Sequence, residues 1–342
     1  MDHLRLLPLA LIAALALACG SDDPDNDSSE DACSPPSQAS WETSIDDHES
    51  GAFMSVWGPS TDRVLTVGGQ PEQGTAYHFD QDQWTPLELP EGPMLNWVHG
   101  SDDVFWLVGN EGRILRLEGD PQDPDVLQTY ESPTDKDLWG VWVHDHQTAW
   151  AVGGDARDFD AQPVLLRYDG YQWHDEPLPE FDRDANSLFK IWGTGPDHIF
   201  AVGALGLILH YDGDEWQQVS TGASDDFVSL WGRADDEVVA VGGRANAQIA
   251  RFDGDAWSSE IVGGQPGLNG IWMDCQGRSH VNGVDGRALT LDAASTEPSV
   301  ESTPTSTVLH ASFGFNDGPR FAVGGTLQSS PPYQGTILIS AD

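Results

Sequence analysis

The stretch from residue 188 to 216, "LFKIWGTGPDHIFAVGALGLILHYDGDEW", decides the fold. Its short apolar runs are broken by Gly, Pro and Asp, which is the chemistry of strands joined by tight turns. Three markers stand in fixed order along it. The first is Ile191-Trp192-Gly193, the second Val202-Gly203, and the third Tyr211-Asp212-Gly213 followed by Trp216.

The same order recurs on both sides. The aromatic marker falls at 57, 99, 142, 192, 231, 272 and 313, with spacings of 42, 43, 50, 39, 41 and 41. Val-Gly follows at 67, 108, 152, 202, 241 and 323, with Val281-Asn282-Gly283 as a variant. The apolar run into Asp-Gly reappears as "LLRYDG" from 165 and "IARFDG" from 249, and in degenerate form as "YHFDQD" from 77, "ILRLEG" from 114 and "ALTLDA" from 288. Seven copies near a 41-residue period, each with room for four short strands, predict an all-β chain, a seven-bladed β-propeller with four antiparallel strands per blade. Strand A carries the aromatic marker, B ends at Val-Gly, C runs into Asp-Gly, and D starts at the next tryptophan. The last copy ends after strand C, in "GTILISAD", and Trp41-Glu42-Thr43 reads as a strand D without a preceding C. The N-terminal strand is therefore expected to close the last blade, leaving no unpaired edge at the seam.

Asp212-Gly213 could be taken for a site. Its recurrence as Asp169-Gly170 and Asp253-Gly254 argues for structure, since one active site needs one copy. Asp and Gly tolerate the positive φ of a tight hairpin, and the carboxylate can accept turn N–H groups.

Composition sets further bounds. Asp plus Glu number 56 against 15 Lys plus Arg, a net charge of −41. Such a surface repels phosphate backbones, so no nucleic-acid partner is expected. Contact with a membrane is expected only through the N-terminus. Arg5 precedes an apolar run over 6–17, shorter than the roughly 20 residues that span a bilayer, and residues 1–18 read as a signal peptide. Residues 19–40 are too polar to bury a core and read as a disordered acidic tether. Residues 41–342 form the propeller. The third cysteine, Cys275, and Cys33 in the tether are an even pair beyond Cys19, suited to a disulfide in an exported chain, with two free thiols as the alternative.

Several families are similar to these patterns. Ala18-Cys19-Gly20-Ser21 resembles a bacterial lipobox, which implies lipidation of Cys19; Ala16 stands where that family has leucine, and Ala16-Leu17-Ala18 also suits ordinary secretion. Asp-Gly-x-x-Trp resembles the Asp-box of bacterial-neuraminidase repeats. The fuller pattern resembles the propeller lipoproteins of myxobacteria and photosystem II assembly-factor-like propellers, and the diglycines at 68, 153, 242 and 324 resemble kelch repeats. The resemblance implies a propeller over 41–342 in the cell envelope, at the outer membrane or in the periplasm. It implies no one activity. A sialidase would need an arginine triad around the channel, and no arginine reads as lying on a strand A; Arg116, Arg167 and Arg251 lie on C strands.

Two places stand out for binding. Two residues before the aromatic marker stand Ser55, Trp97, Gly140, Lys190, Ser229, Gly270 and Ala311. Trp97 and Lys190 interrupt a series of small residues and, if they face the channel, put an indole and a cation into it; otherwise Lys190 pairs with a nearby carboxylate. The B–C loops read long in the first, third and seventh blades, and the D–A link from the third to the fourth blade is long. These loops share one face of a propeller. Asp155, Arg157, Asp158, Phe159 and Asp160 should meet Asp182, Arg183 and Asp184 there. A scaffold that varies its loops on one face usually binds something there. Asp155, Asp158 and Asp160 would suit calcium as a cofactor, and no other cofactor is expected. The expected protein is a monomeric, non-enzymatic recognition or assembly platform for an envelope protein or glycan. The competing expectation is a glycan-active hydrolase or lyase working in the channel.

Overall fold

Residues 40–80, 83–158, 160–292, 295, 297–327 and 330–341 are described by a computed structural model. Among these residues twenty-eight strands form seven four-stranded sheets. The closing strand β1 (Ser40–Asp47) comes first in the chain. Blade 1 holds β2 (Ala52–Trp57), β3 (Val64–Gln70), β4 (Gln73–Phe79) and β5 (Trp84–Pro86). Blade 2 holds β6 (Leu95–Ser101), β7 (Val104–Gly109), β8 (Ile114–Asp120) and β9 (Asp123–Tyr130). Blade 3 holds β10 (Leu138–Asp145), β11 (Thr148–Gly153), β12 (Val164–Tyr168) and β13 (Trp173–Asp175). Blade 4 holds β14 (Leu188–Gly195), β15 (His198–Gly203), β16 (Ile208–Tyr211) and β17 (Trp216–Val219). Blade 5 holds β18 (Phe227–Ala234), β19 (Glu237–Gly242), β20 (Ala247–Phe252) and β21 (Trp257–Val262). Blade 6 holds β22 (Leu268–Met273), β23 (Ser279–Gly283), β24 (Ala288–Leu291) and β25 (Ser299–Glu301). Blade 7 holds β26 (Leu309–Gly314), β27 (Arg320–Gly325) and β28 (Gly335–Ala341), and β1 is its fourth strand.

The first strands of consecutive blades pack against one another, and β26 packs against β2, so the inner strands close a ring. The seam is sealed as expected: β1 runs antiparallel to β28, with Trp41 opposite Ser340 and Asp47 opposite Gly335. Side chains reinforce it. Trp41 Nε1 donates to Glu301 Oε2 at 2.8 Å, Arg320 lies over the Trp41 ring at 5.2 Å, and Arg320 pairs with Glu301 at 3.1 Å.

The recurring residues explain the packing. Three of the marker tryptophans, Trp57, Trp192 and Trp272, need a glycine on the next blade. A Cβ on Gly100 would lie 2.7 Å from Trp57, one on Gly232 would lie 2.5 Å from Trp192, and one on Gly314 would lie 3.0 Å from Trp272. The tryptophans that open the D strands wedge between blades: Trp84, Trp173 and Trp257 stand edge-on to Phe321, Trp106 and Phe200 of the preceding blade, with centroids 5.7, 5.1 and 5.3 Å apart. Aromatic pairs in such geometry contribute about 0.5–1.5 kcal/mol beyond their burial. The core therefore lies between blades, and no single sheet could bury its own faces.

The Asp-Gly hairpins behave as read. Asp212 Oδ1 accepts from the N–H groups of Asp214 and Glu215, both at 3.0 Å. Asp169 and Asp253 repeat this with Tyr171 and Gln172, and with Asp255 and Ala256. Gly170, Gly213 and Gly254 have φ of 95°, 97° and 93°. The Gln172 N–H and the His174 ring hold the Asp169 carboxyl down at about 2.

One loop differs from expectation. The first blade has no long B–C loop, because β3 and β4 continue through the diglycine to a turn at Pro71-Glu72. Gly69, with φ 132°, pairs with Gly74 instead of ending the strand. The third and seventh blades keep their long B–C loops, at 154–163 and 326–334.

Candidate recognition surface and channel mouth

The two long loops around blades 3 and 4 do meet. Gly154 and Ser187 form an antiparallel bridge between the B–C loop of blade 3 and the link into blade 4. Buried Asn186 donates through Nδ2 to the carbonyls of Asp155 and Asp158, both at 3.1 Å, and Trp139 Nε1 donates to Gly154 O at 3.1 Å. Asp155 Oδ1 accepts from Arg157 N–H, and Asp158 Oδ1 accepts from Asp160 N–H, each at 3.0 Å. The surface is thus tied together by backbone groups and one amide, while Arg157, Asp158, Asp160, Asp182, Arg183 and Asp184 remain exposed. Phe159 lies outside the described residues.

Arg183 is less free than its exposure suggests. Its Nη1 donates to the carbonyls of Leu205 at 3.1 Å and Ala223 at 3.2 Å, and Asp182 N–H donates to Gln218 Oε1 at 2.8 Å. Between these groups lies a cleft of about 140 Å³ lined by Asp182, Arg183, Leu205, Gln218 and Thr221. Leu205 is 41% exposed and sits at φ 57°, a conformation an L side chain rarely adopts. Nothing in the sequence marks Leu205 as unusual except its place in the turn Ala204-Leu205-Gly206. That turn is repeated in shape by Asn110-Glu111-Gly112 and Val284-Asp285-Gly286.

Among the described residues no group of three or more His, Cys, Asp or Glu is arranged to hold a metal. Asp155 and Asp158 each spend an oxygen capping a local turn instead.

In the channel, Trp97 and Lys190 converge. The Lys190 ammonium lies 2.9 Å from the centre of the Trp97 ring, reaching from blade 4 across to blade 2, and its second contact is the Trp139 carbonyl at 3.4 Å. Gly140 of blade 3 clears the space, since a Cβ there would lie 3.1 Å from Lys190 Cα. The expected alternative, a carboxylate partner for Lys190, is not found among the described residues, whose ion pairs all involve other cations. Burial pushes the Lys190 amine well below the ordinary lysine value. Other small residues of this series serve blade packing. Ser55, for example, bonds Val98 of the next blade at 3.2 and 3.4 Å, and so serves blade packing.

One feature was not visible from spacing. Every inner strand carries a β-bulge immediately before this position. The extra residues are Met54, Asn96, Trp139, Phe189, Val228, Asn269 and His310. A bulge re-aims a side chain. These seven form a ring at the B–C/D–A end of the channel, mostly half-buried and mostly apolar. Farther in, Trp231 lies 6.0 Å from Phe313, Phe313 lies 6.3 Å from Trp57, and Trp57 lies 4.9 Å from His99, so aromatic rings from blades 5, 7, 1 and 2 meet across the axis. His99 fills the tryptophan position as a packing residue; its Nδ1 accepts the Val143 N–H at 3.1 Å, and burial lowers its pKa to about 3.

The inner strands offer little to glycan hydrolysis, which normally uses a carboxylate pair. Their one carboxylate is Asp145, at the end of β10. Against expectation an arginine does lie on an inner strand: Arg233, near the end of β18, pairs with Glu237 and donates to the Cys275 carbonyl, so it serves the A–B turns and belongs to no triad. On the opposite face, Cys275 in the A–B turn of blade 6 is disulfide-bonded. Its expected partner Cys33, like the lipidation candidate Cys19, lies outside the described residues.

The chain shares its fold with solved propellers at low identity. It is similar to YCF48 bound to D1 peptide, with TM-score 0.66 and 12% identity over 91% of this chain and 98% of that one. It is similar to the RRP9 WD40 repeats, with TM-score 0.68 and 9% identity over 90% and 98%. A virginiamycin B lyase from Staphylococcus aureus matches with TM-score 0.68 and 11% identity over 89% and 100%. No family model matches the sequence, and no curated protein matches it. At these identities the likeness establishes the seven-bladed architecture and nothing finer.

Proposed function

We propose that this chain is a non-enzymatic recognition or assembly platform of the bacterial cell envelope, held by a lipid on Cys19 and binding a partner protein or glycan through its B–C/D–A loop face. The observation that carries the reading is the junction of the two long loops. The Gly154–Ser187 bridge and the two Asn186 hydrogen bonds give a preorganised surface on which charged side chains project. Preorganisation lowers the entropy lost on binding. The fold is consistent with a protein-interaction platform, and among the solved neighbours YCF48 is bound to a peptide. The net charge of −41 favours a partner with a basic surface.

The test is a capture experiment on envelope extracts with two variants of matched charge change. Reversing Asp158, Asp182 and Asp184 to lysine on the loop face should abolish capture of a specific partner. Reversing Asp214, Asp235 and Asp255 on the opposite face should leave it intact. Equal capture by both variants sinks the proposal. Anchoring is checked separately by incorporation of labelled palmitate, expected in the wild type and lost in Cys19→Ala.

A further inference from the structure

The channel mouth holds an amine without a counter-ion. An ammonium has three N–H donors. The Trp139 carbonyl, at 3.4 Å, takes one of them at the long end of hydrogen-bond range, and the Trp97 ring face screens the charge. No carboxylate among the described residues completes the site. Burying a cation without an anion or a full set of acceptors is costly, so burial lowers the Lys190 amine and an arriving carboxylate would hold its proton in place. The chain keeps this arrangement at one of its only two lysines.

The surroundings define what would fit. Above Lys190, toward the B–C/D–A face, the bulge ring supplies Met54, Trp139, Phe189 and Val228, all half-buried. The titratable group that shares this space is His310, whose Nε2 meets Gly325 O at 3.2 Å. Burial, offset in part by that carbonyl and reinforced slightly by the nearby Lys190 charge, brings His310 to about 4, so it is neutral at physiological pH and adds no second cation. Below, Trp97 and the aromatic plug close the way through. Lys190, 7% exposed, thus lies beneath a half-buried and largely apolar ring.

We propose that Lys190 anchors the carboxylate of a small organic acid whose aromatic or aliphatic body lies among Trp139, Phe189 and Val228. A single cation at the floor of a strongly acidic molecule selects a monoanion; a phosphate dianion would meet more repulsion and no second positive group. The apolar body adds the burial that a bare carboxylate lacks. The site borders the loop face through Trp139, but the loop variants change none of Lys190, Phe189 and Val228, so loss of partner capture by those variants leaves it untouched.

Calorimetric titration of the full chain with phenylacetate tests it. Saturable binding is expected, with phenylacetamide and acetate each at least tenfold weaker, because one lacks the charge and the other the body. Lys190→Met should weaken phenylacetate at least tenfold while the circular dichroism spectrum is kept. Phe189→Ala should weaken phenylacetate more than acetate. Absence of saturable binding to the folded wild type, or unchanged affinity in Lys190→Met, overturns the site. Should Lys190→Met fail to fold, the wild type decides alone: equal affinity for phenylacetate and phenylacetamide overturns it.

Discussion

Gly232 shows how far one hydrogen atom is used in this molecule. Trp192 of blade 4 occupies the space a side chain at 232 would need, with the Glu237 carbonyl 2.8 Å away on another side. Gly232→Ala must push an indole out of an inter-blade contact and should cost about 1–3 kcal/mol, as overpacking in cores does. Gly263, with nothing within 4 Å of its would-be Cβ, is the control. Its change to Ala should stay within about 1 kcal/mol of wild type, on the stabilising side. Chemical denaturation of the two variants measures the contrast. Lys190 is the opposite case, a side chain whose own burial is unfavourable. Lys190→Met keeps the volume and removes the charge, so it should raise stability by about 1 kcal/mol. A clear loss would mean that the contact with Trp97 holds the inner ring together. The Trp-Gly pairing was legible as a recurring marker, but its reason was not, because the partner of each tryptophan sits about 40 residues downstream on another blade.

At the scale of the element, the closing strand is the most instructive. β1 is bound to β28 by backbone pairing alone over most of its length, and most of its side chains are exposed. Its specificity comes from Trp41, seated on Glu301 and Arg320. Arg320 is 2% exposed and Glu301 9%, and the same cluster takes in Thr290, His280 and Asp274. Glu301→Leu would leave Arg320 buried without its carboxylate and should cost about 3–5 kcal/mol. It should also raise amide exchange along β1 before other strands. Uniform exchange across the molecule would show that the seam is no weaker than the blades. The role of β1 could be read from the sequence because strand count demanded it. The charged cluster could not, since Glu301, Arg320 and Trp41 are brought together only by closure of the ring.

At the scale of the whole molecule, acid should unfold the propeller in two stages. Burial, then the neighbouring Arg320 charge, keep His280 below its usual value despite its bond to Asp274, and burial lowers His99 to about 3 and His310 to about 4. Their unfolded counterparts take up protons from about pH 6.5 downward, so stability falls first between about pH 6.5 and 3. The carboxylates follow. Burial alone would raise Asp274, but its bonds to His280 and Arg278 outweigh that and hold it at about 2; Glu301 is likewise raised by burial and lowered more by Arg320, Thr290 and Trp41. Their contribution is complete above about pH 4 and is lost as the pH falls toward 2. Melting temperatures from pH 8 to 2 should therefore drop in two phases, and His99→Phe should shrink the first. A single drop below pH 4 would contradict this.

The same scale shows what the chain discloses of itself. Blade number, strand order and closure follow from the period and the markers, because repeated sheets must share one solution for burial. The channel mouth depends on seven bulges, each an extra residue with no compositional signature, so only the Trp97 and Lys190 exceptions pointed toward it. The long loops around blades 3 and 4 were legible as a meeting point from length alone, whereas the cleft at Leu205 rests on a backbone twist that spacing does not encode.

Strand β1 enters the disc at Ser40 and β28 leaves it at Ala341, two residues paired directly across the seam. Both therefore emerge beside the A–B turns, on the side away from Gly154 and Ser187. A tag, bead or anchor attached at either end grips the molecule from behind. The loop surface lies on the far side of the disc from both points of attachment.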